Sequence, residues 1–457
     1  MSSSQAAPHL HKRAARAIGL TFLAVVAGTT TSAVGAGYGL KEHSADAMAA
    51  AYAGAAATQT DASYLAYNPA SLSSVVDQDI SFSLVEILPG SKGNYTTATT
   101  SAGPATGGSA RPSGFISDAS VPAFGFRQRL SDDWAVGLSI TAPWGLRTVY
   151  PSTWAGRYYA QKSSLLTVNA TPVVSYQVTP ALSVGAGLQI EYAQGTLTSA
   201  IDTGTLGALH MIPGAVPGAQ DSFARLSGNN WTFGYTAGVI DRIGDLTLGI
   251  SYRSSLQHDL KGPLTFTLDS AGIGATIKGL TGLFTNTTQV TPLTMPDVIE
   301  SGLRIDLSDQ WTGLAELDWT HWSRFRALTV IAANPFQPND VTTTHWKNAF
   351  FASAGAEYRA DPFWTFRAGA GFDQSPTRDA TREPRIPDAD RVWLSAGVRY
   401  RMSDSADLNL TASRLFNVQE SISLNPSIPG AALRGTLIGT TQSYVNVAGV
   451  QITYRPN

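Results

Sequence analysis

Apolar and polar residues alternate along most of the chain from residue 79 onward, which is the spacing of β-strands with one apolar and one polar face. In the clearest case Leu182, Val184 and Leu188 alternate with small or polar neighbours. Counting every run of this kind predicts fourteen strands. They begin near Ile80, Val121, Trp134, Leu165, Leu182, Trp231, Leu246, Val298, Trp311, Phe350, Trp364, Val392, Leu408 and Tyr444.

The predicted connections alternate between six tight turns and seven long loops. The long loops fall at 88–120, 143–163, 195–230, 255–296, 321–348, 374–390 and 417–443. Soluble sandwiches have Greek-key connections of mixed length, so this regularity favours a barrel in a membrane. Such strands need about 9 to 11 residues and a closed edge, because hydrocarbon contains no water for unpaired backbone groups. The predicted fold class is all-β, a transmembrane up-and-down β-barrel of fourteen antiparallel strands.

The two strand faces differ in chemistry. Trp134, Trp311 and Trp364 each follow a short turn directly, where an aromatic girdle at the periplasmic interface is expected. Aromatic residues also favour strands in general, which is the alternative explanation. The opposite face carries charges of both signs, which suits an aqueous lumen: Glu191, Arg253, Arg304, Glu316, Asp318, Glu357, Arg367, Arg399 and Arg401.

A barrel of fourteen strands has a lumen wide enough to need a plug. Residues 36–78 precede the first strand, have no strand alternation and are rich in alanine. We interpret them as a compact hatch inside the barrel. Within it, Ser44 is a candidate N-cap for a helix that continues through Ala53 and stops at Gly54.

Composition agrees with an exported membrane protein. Only 14% of residues are charged, against about 25% in average soluble proteins. The net charge of −2 gives no reason to expect nucleic acid as a partner, and the absence of cysteine excludes disulfides and thiolate metal sites. A basic patch, a twelve-residue apolar run and small residues predict a signal peptide at 1–35, cleaved after Gly35 or Ala36. No later segment is apolar enough for a spanning helix.

The long loops contain many apolar residues for segments that face water. Met211 and Ile212 lie in loop 195–230, and Phe266, Ile277 and Phe284 lie in loop 255–296. Ile273, Ile277, Leu280 and Phe284 share one helical face, although nearby glycines weaken that helix. An exposed apolar patch is typical of a binding surface. These loops either capture a hydrophobic solute or pack on each other as a lid.

Three parts of the chain resemble one family. Ala36 to Leu40 together with Asn68-Pro69-Ala70 is similar to the hatch of the FadL family of outer-membrane long-chain fatty acid transporters, which includes TodX-type aromatic hydrocarbon channels. Trp154 to Tyr158 is similar to its segment before the fourth strand. The segment from Asp373 to Ser395 carries the most specific similarity. The chain ends in Arg455-Pro456-Asn457 beyond the usual terminal aromatic residue.

The resemblance implies passive uptake of long-chain fatty acids or other hydrophobic molecules. Ligand is expected to bind first at loops 195–230 and 255–296 and then in a pocket beside the hatch. It is finally expected to leave sideways at a kinked third strand, Trp134 to Ala142. The implied organisation is a signal peptide at 1–35, a hatch at 36–78 and the barrel at 79–457. The implied partners are the ligand, outer-membrane lipids and the barrel assembly machinery. A monomer without a cofactor, in the outer membrane of a Gram-negative bacterium, is expected.

Several residues are candidates for the site. Arg157 is the first candidate for a carboxylate head group, because guanidinium binds carboxylates bidentately, and an ordinary loop-edge arginine is its alternative. Tyr38 and Tyr158 are candidate ligand contacts, with hatch packing as the alternative for Tyr38. The remaining candidates are structural: Asn68, Pro69 and Ala70 shape the hatch, and Arg382, Pro387, Asp388 and Arg391 hold an extracellular loop together.

Other functions have less support. An outer-membrane lipid hydrolase needs a serine–histidine pair, and none of the seven histidines lies in a local pattern of that kind. A polar-solute porin is disfavoured by the hatch and by the apolar loops. The natural substrate, whether fatty acid or aromatic hydrocarbon, stays open at this stage.

Overall fold

The structure is a computed structural model that describes residues 36–74 and 77–456. The predicted signal peptide, residues 1–35, lies outside the described residues. Twenty strand segments follow one another along the chain: β1 (Gln78–Thr99), β2 (Ala119–Arg129), β3 (Trp134–Thr141), β4 (Gly145–Val149), β5 (Lys162–Gln177), β6 (Leu182–Asp202), β7 (Asp221–Ile243), β8 (Leu246–Arg253), β9 (Leu256–Thr267), β10 (Thr287–Met295), β11 (Val298–Asp306), β12 (Trp311–Thr320), β13 (Ala327–Ala332), β14 (Asp340–Thr343), β15 (Ala349–Arg359), β16 (Trp364–Asp373), β17 (Arg391–Ser403), β18 (Ala406–Asn417), β19 (Glu420–Leu424) and β20 (Thr436–Tyr454).

The described residues also form three α-helices: α1 (Ala45–Met48), α2 (Thr203–Leu209) and α3 (Ile273–Thr281). Short 3₁₀ turns lie at Ala55–Ala57, Ala62–Ala66, Pro69–Ser74 and Trp322–Arg324. Within the described part of the chain, no helix is both long and apolar enough to cross a bilayer.

The strand segments form one closed antiparallel barrel of fourteen strands, as predicted. The ring closes where β1 pairs with β20, from Ile80 opposite Tyr454 to Thr99 opposite Thr436. Three strands are interrupted once and continue as β3/β4, β8/β9 and β10/β11. β13 and β14 form a hairpin above the barrel, and β19 extends the sheet beside β20.

The strands are longer at the long-loop end than the alternation predicts. β6 and β7 pair without a break up to Asp202 opposite Asp221, so half of the predicted loop 195–230 is strand. Likewise β9, α3 and β10 account for most of the predicted loop 255–296. Beyond the lipid-facing part of a strand, outward side chains become polar, which removes the alternation while the backbone pairing continues.

The exterior of the barrel is apolar. On β6, Leu188 is 49% exposed, whereas the next residue, Gln189, points inward and is 0% exposed. The three predicted girdle tryptophans lie on the outside at the short-turn end. Their rings contact cross-strand tyrosines, with centroids 4.8 Å apart for Trp134 and Tyr176 and 4.6 Å apart for Trp311 and Tyr358. Trp364 contacts Tyr400 in the same way.

Residues 36–74 lie inside the barrel. The Ser44 side chain caps α1 by accepting a hydrogen bond from the backbone N–H of Ala47 at 3.1 Å. The helix ends at Met48, earlier than the predicted Ala53, because Ala51 and Tyr52 adopt positive φ angles of 52° and 62°. The Tyr52 ring packs edge-on against Trp393 of the barrel wall. Tertiary contacts therefore determine where this helix stops.

Some of the inner charges that the sequence predicted bind the hatch to the wall. Arg367 forms ion pairs with Asp46 of the hatch and with Glu357 of the neighbouring strand. Lys41 of the hatch forms an ion pair with Asp318. The lower part of the lumen is thus filled by protein, and its charges are paired across the hatch–wall boundary.

Candidate functional site

A large apolar cavity lies at the long-loop end of the barrel. It has a volume of about 520 Å³, which falls in the range of pockets that enclose a small molecule. Its wall is built from inward-facing residues of β6, β7 and β9 and from the loops above them. The apolar lining includes Leu197, Leu226, Leu264, Phe266, Phe284 and Leu328.

Several predicted ligand contacts surround this cavity. Tyr158, Phe266 and Phe284 line it. Ile277 of α3 is 1% exposed and lies behind the wall in a small apolar cluster, against which Ile212 packs. Met211 is 88% exposed, so its side chain projects into solvent. The apolar residues of the predicted loops 195–230 and 255–296 therefore pack on each other, and they also leave a cavity between them.

Arg157 is buried and already has a carboxylate partner. Its Nε donates to the Oδ2 of Asp221 at 2.5 Å, and its guanidinium also contacts the hydroxyl of Tyr158 at 3.0 Å. The Tyr158 hydroxyl donates in turn to the other carboxylate oxygen of Asp221 at 2.7 Å. This triad fixes the orientation of Tyr158 at the cavity wall.

Arg385, which no sequence pattern singles out, lines the cavity and is 7% exposed. Its hydrogen bonds run from one end of the guanidinium, to Ser163 and to the carbonyl of Thr198, at 3.4 and 3.3 Å. The two carboxylates that influence it, Glu383 and Asp340, form ion pairs with Arg434 instead. Burial lowers the pKa of Arg385 to about 10. The side chain is therefore a buried cation beside an apolar cavity.

A second and much smaller pocket lies beside the hatch. It has a volume of about 80 Å³ and is lined by hatch residues 39–41 and 43, together with wall residues such as Trp144, Phe351 and Trp393. Tyr38 lies next to it in an aromatic cluster, with its ring 4.7 Å from that of Trp322 and 5.5 Å from that of Phe325. In this state the hatch-side pocket is nearly closed.

The barrel wall is interrupted at the third strand. β3 ends at Thr141, and β4 resumes at Gly145 after Pro143, which has no N–H to donate to a ladder. The pairing of β2 with this strand stops at Phe124 opposite Ile140 and resumes as a single bridge between Ile116 and Thr148. A gap in the sheet lies between these two points.

The start of the hatch pairs with the edge of this interruption. The N–H of Leu40 donates to the carbonyl of Pro143, and the N–H of Gly145 donates to the carbonyl of Tyr38, both at 2.9 Å. Gly39 and Trp144 thus form an antiparallel bridge. The segment Tyr38 to Leu40 closes the wall at the place where the strand is broken.

The remaining predicted residues hold the hatch and one loop in place. The Asn68 side chain donates to the carbonyl of Ala56 at 2.7 Å and accepts from the N–H of Ala70 at 2.9 Å, so it shapes the backbone around Pro69. In the loop after β16, Arg382 forms ion pairs with Asp379 and Glu420 at 2.8 Å.

Asp388 and Arg391 connect that loop to the hatch. Arg391 donates to Asp388 at 3.0 Å and lies 3.3 Å from Asp373. Asp388 also accepts from the backbone N–H of Gly37. Pro387 precedes this group in the loop and is half-buried.

The closed barrel, its apolar exterior and its internal hatch define a plugged membrane β-barrel, with an apolar cavity on one side of the hatch. Comparison with known proteins identifies the family of this barrel. Residues 25–455 match the family model described as outer membrane protein transport protein (OMPP1/FadL/TodX). The chain belongs to this family. It is accordingly an outer-membrane transporter of hydrophobic compounds in a Gram-negative bacterium and not an enzyme.

Individual relatives agree with this assignment. The long-chain fatty acid transport protein of Shigella flexneri is 30% identical over 92% of this chain and 96% of its own length. The crystal structure of a Pseudomonas aeruginosa FadL homologue superposes with a TM-score of 0.83 at 24% identity, covering 92% of this chain and 99% of that one. The Ralstonia pickettii toluene transporter TbuX superposes with a TM-score of 0.65 at 18% identity, over 92% and 99% of the two chains. The two structures support the fold alone.

Proposed function

We propose that the protein takes up long-chain fatty acids by passive diffusion and that Arg385 binds their carboxylate during capture. The observation that carries this proposal is a buried guanidinium in the wall of an apolar cavity, which forms no ion pair with a carboxylate among the described residues. Burying an unpaired charge is costly, and a carboxylate ligand would offset that cost. The acyl chain would at the same time cover the apolar lining. A hydrocarbon would leave Arg385 unpaired.

The ligand then moves from the outer cavity to the pocket beside the hatch. That pocket, at about 80 Å³, is too small for an acyl chain, so the hatch segment Tyr38 to Leu40 has to shift first. The relatives named as long-chain fatty acid transport proteins support this substrate class, since the similarity extends over nearly the whole chain.

Exit is sideways, through the gap at the third strand, once Tyr38 to Leu40 releases the edge at Pro143. An apolar solute is more stable in the bilayer than in water by about 0.8 kcal/mol per CH₂. Lateral exit delivers the acyl chain directly to that environment.

The experiment compares two solutes of equal chain length, palmitate and hexadecane, in proteoliposomes that contain wild-type or Arg385→Gln protein. We expect palmitate capture to weaken by about tenfold or more, since a charge-assisted hydrogen bond contributes about 1.5–3 kcal/mol, while hexadecane entry stays unchanged. Arg378→Gln is the matched control, because Arg378 is an exposed arginine of the same loop and lies outside the cavity.

Arg157 stays a second candidate for the head group. If it acts this way, Arg157→Ala lowers palmitate uptake and spares hexadecane. If it only orients Tyr158 through Asp221, both solutes are affected equally. If the Arg385 and Arg157 variants take up both solutes as well as the wild type does, neither arginine binds a head group. That result would favour a TodX-type hydrocarbon channel instead.

A further inference from the structure

The outer surface of the barrel changes character above the upper edge of its lipid-facing band. Tyr192 and Trp231 mark that edge, with ring centroids 5.1 Å apart on neighbouring strands. Since outward positions on β6 and β7 recur every second residue, the next outward pairs are Gln194 with Asn229 and then Thr196 with Ser227. These two pairs of residues on β6 and β7 are uncharged and polar.

One step further out, a single cross-strand row carries two cations. The register aligns Val149, Lys162, Thr198, Arg225 and Thr265 on five adjacent strand segments. Lys162 and Arg225 therefore flank Thr198, with backbones about 10 Å apart for two inter-strand spacings. None of their neighbours in this row is acidic. Arg225 is exposed and Lys162 is half-buried.

A third cation lies one register step nearer the lipid-facing band, where Arg147 is opposite Ser164. Arg147 lies two residues before Val149 in β4 and so shares its outward face. Both Arg147 and Arg225 lie close enough to repel the ammonium group of Lys162. The nearest acid further out along β7, Asp221, is bound by Arg157 and Tyr158. Three like charges thus cluster just outside the lipid-facing band, an arrangement that a bound anion would stabilise.

We propose that this basic patch, Arg147, Lys162 and Arg225, binds the phosphate groups of lipopolysaccharide in the outer leaflet. Lysine and arginine are the side chains that bind phosphate, arginine in bidentate geometry. Basic clusters beside a membrane recognise anionic lipid head groups. The Thr198 hydroxyl between the two cations supplies a further polar contact. The acyl chains of the lipid would extend down over Tyr192 and Trp231.

The test uses full-length protein refolded in detergent without lipopolysaccharide, titrated with purified lipopolysaccharide and followed by native mass spectrometry. We expect the triple variant R147Q/K162Q/R225Q to bind about a hundredfold more weakly, since each basic residue near an anionic surface contributes about 1 kcal/mol. Enzymatically dephosphorylated lipopolysaccharide should bind the wild type just as weakly. Arg111→Gln is the control, because Arg111 is an exposed arginine of the first long loop, outside the patch.

Folding is checked by the heat-dependent shift of barrel mobility in gels, and palmitate uptake should be unchanged in folded variants. If the triple variant does not fold, Lys162→Gln alone should weaken binding by about fivefold. Unchanged binding by the variants overturns the proposal. So does equally tight binding of dephosphorylated lipopolysaccharide or of phosphatidylglycerol by the wild type.

Discussion

At the scale of single residues, acidic groups above the barrel hold the start of the hatch. Asp388 accepts hydrogen bonds from Ser375, from Arg391 and from the N–H of Gly37. Burial is the largest influence on this carboxyl and raises its pKa to about 6, against the lowering effect of Arg391. The hatch is therefore tied to an extracellular loop through a group that titrates near neutral pH.

Protonation of Asp388 should contribute to stability at mildly acidic pH. A carboxyl with a pKa near 3.9 in the unfolded chain and a higher value in the fold binds more protons in the fold between those values. Its contribution is therefore full below about pH 4 and falls, by up to about 3 kcal/mol, as pH rises to about 6.

Denaturant midpoints at pH 4.5 and pH 7.5 check this prediction. The decrease toward pH 7.5 should be smaller in Asp388→Asn than in the wild type. The nearby Asp373 and Arg391 are unchanged in both proteins, so their effects cancel in the comparison. An identical decrease in the two proteins would contradict the prediction.

Sequence reasoning identified some residues of the site and missed others for a physical reason. Phe266 and Phe284 were recognisable because apolar residues in a loop are unusual. Arg385 was not, because its significance depends on burial and on the pairing of Glu383 with Arg434. Both are tertiary properties that no local pattern records.

At the scale of elements, strand boundaries beside tight turns were predictable and those beside long loops were not. At a tight turn the apolar alternation begins at once, as it does at Trp134, Leu182 and Trp311. At the other end the backbone pairing continues past the last lipid-facing residue, so β20 begins at Thr436 and not near the predicted Tyr444. The interruption at Pro143 was also not predictable from local sequence. Its strand edge is paired with the distant residues Tyr38 to Leu40.

A disulfide between these two elements should hold the gap closed. Gly39 and Trp144 face each other in an antiparallel bridge whose hydrogen bonds come from their neighbours, the pair geometry with Cα atoms about 4.5 Å apart. The chain has no native cysteine, so the double variant Gly39→Cys with Trp144→Cys introduces a single possible bond. Palmitate uptake should stop on oxidation and return on reduction. The two single-cysteine variants are the controls, and uptake that persists in the oxidised form would contradict a moving hatch segment.

At the scale of the whole molecule, the hatch and the barrel are one packed body. Glycines on the inner face let the hatch backbone approach the sheet directly. A Cβ on Gly369 would lie 2.1 Å from the carbonyl oxygen of Ala50, and one on Gly249 would lie 2.0 Å from that of Ala56. The sequence predicted a hatch, but backbone contacts of this kind are visible only in the structure.

Gly369→Ala should displace the hatch. Steric overlap with backbone atoms costs about 1–3 kcal/mol, so the denaturant midpoint should fall and ion leakage through planar bilayers should rise. The matched control is Gly279→Ala in α3, where an added Cβ meets no atom within 4 Å. There the midpoint should stay level or rise, because alanine favours helix. Equal behaviour of the two variants would count against a tightly fitted hatch.

The contacts of Ser44 have a consequence for biogenesis. Its hydroxyl donates to Gln451 at 3.0 Å, although 407 residues separate the two in the chain. Gln451 lies on the strand that closes the barrel, and it is synthesised long after Ser44. The contact between the N-terminal segment and this strand can therefore form only after the final hairpin has closed the barrel. Contacts of such long range form slowly, so a periplasmic chaperone that shields this alanine-rich segment would shorten its exposure to aggregation.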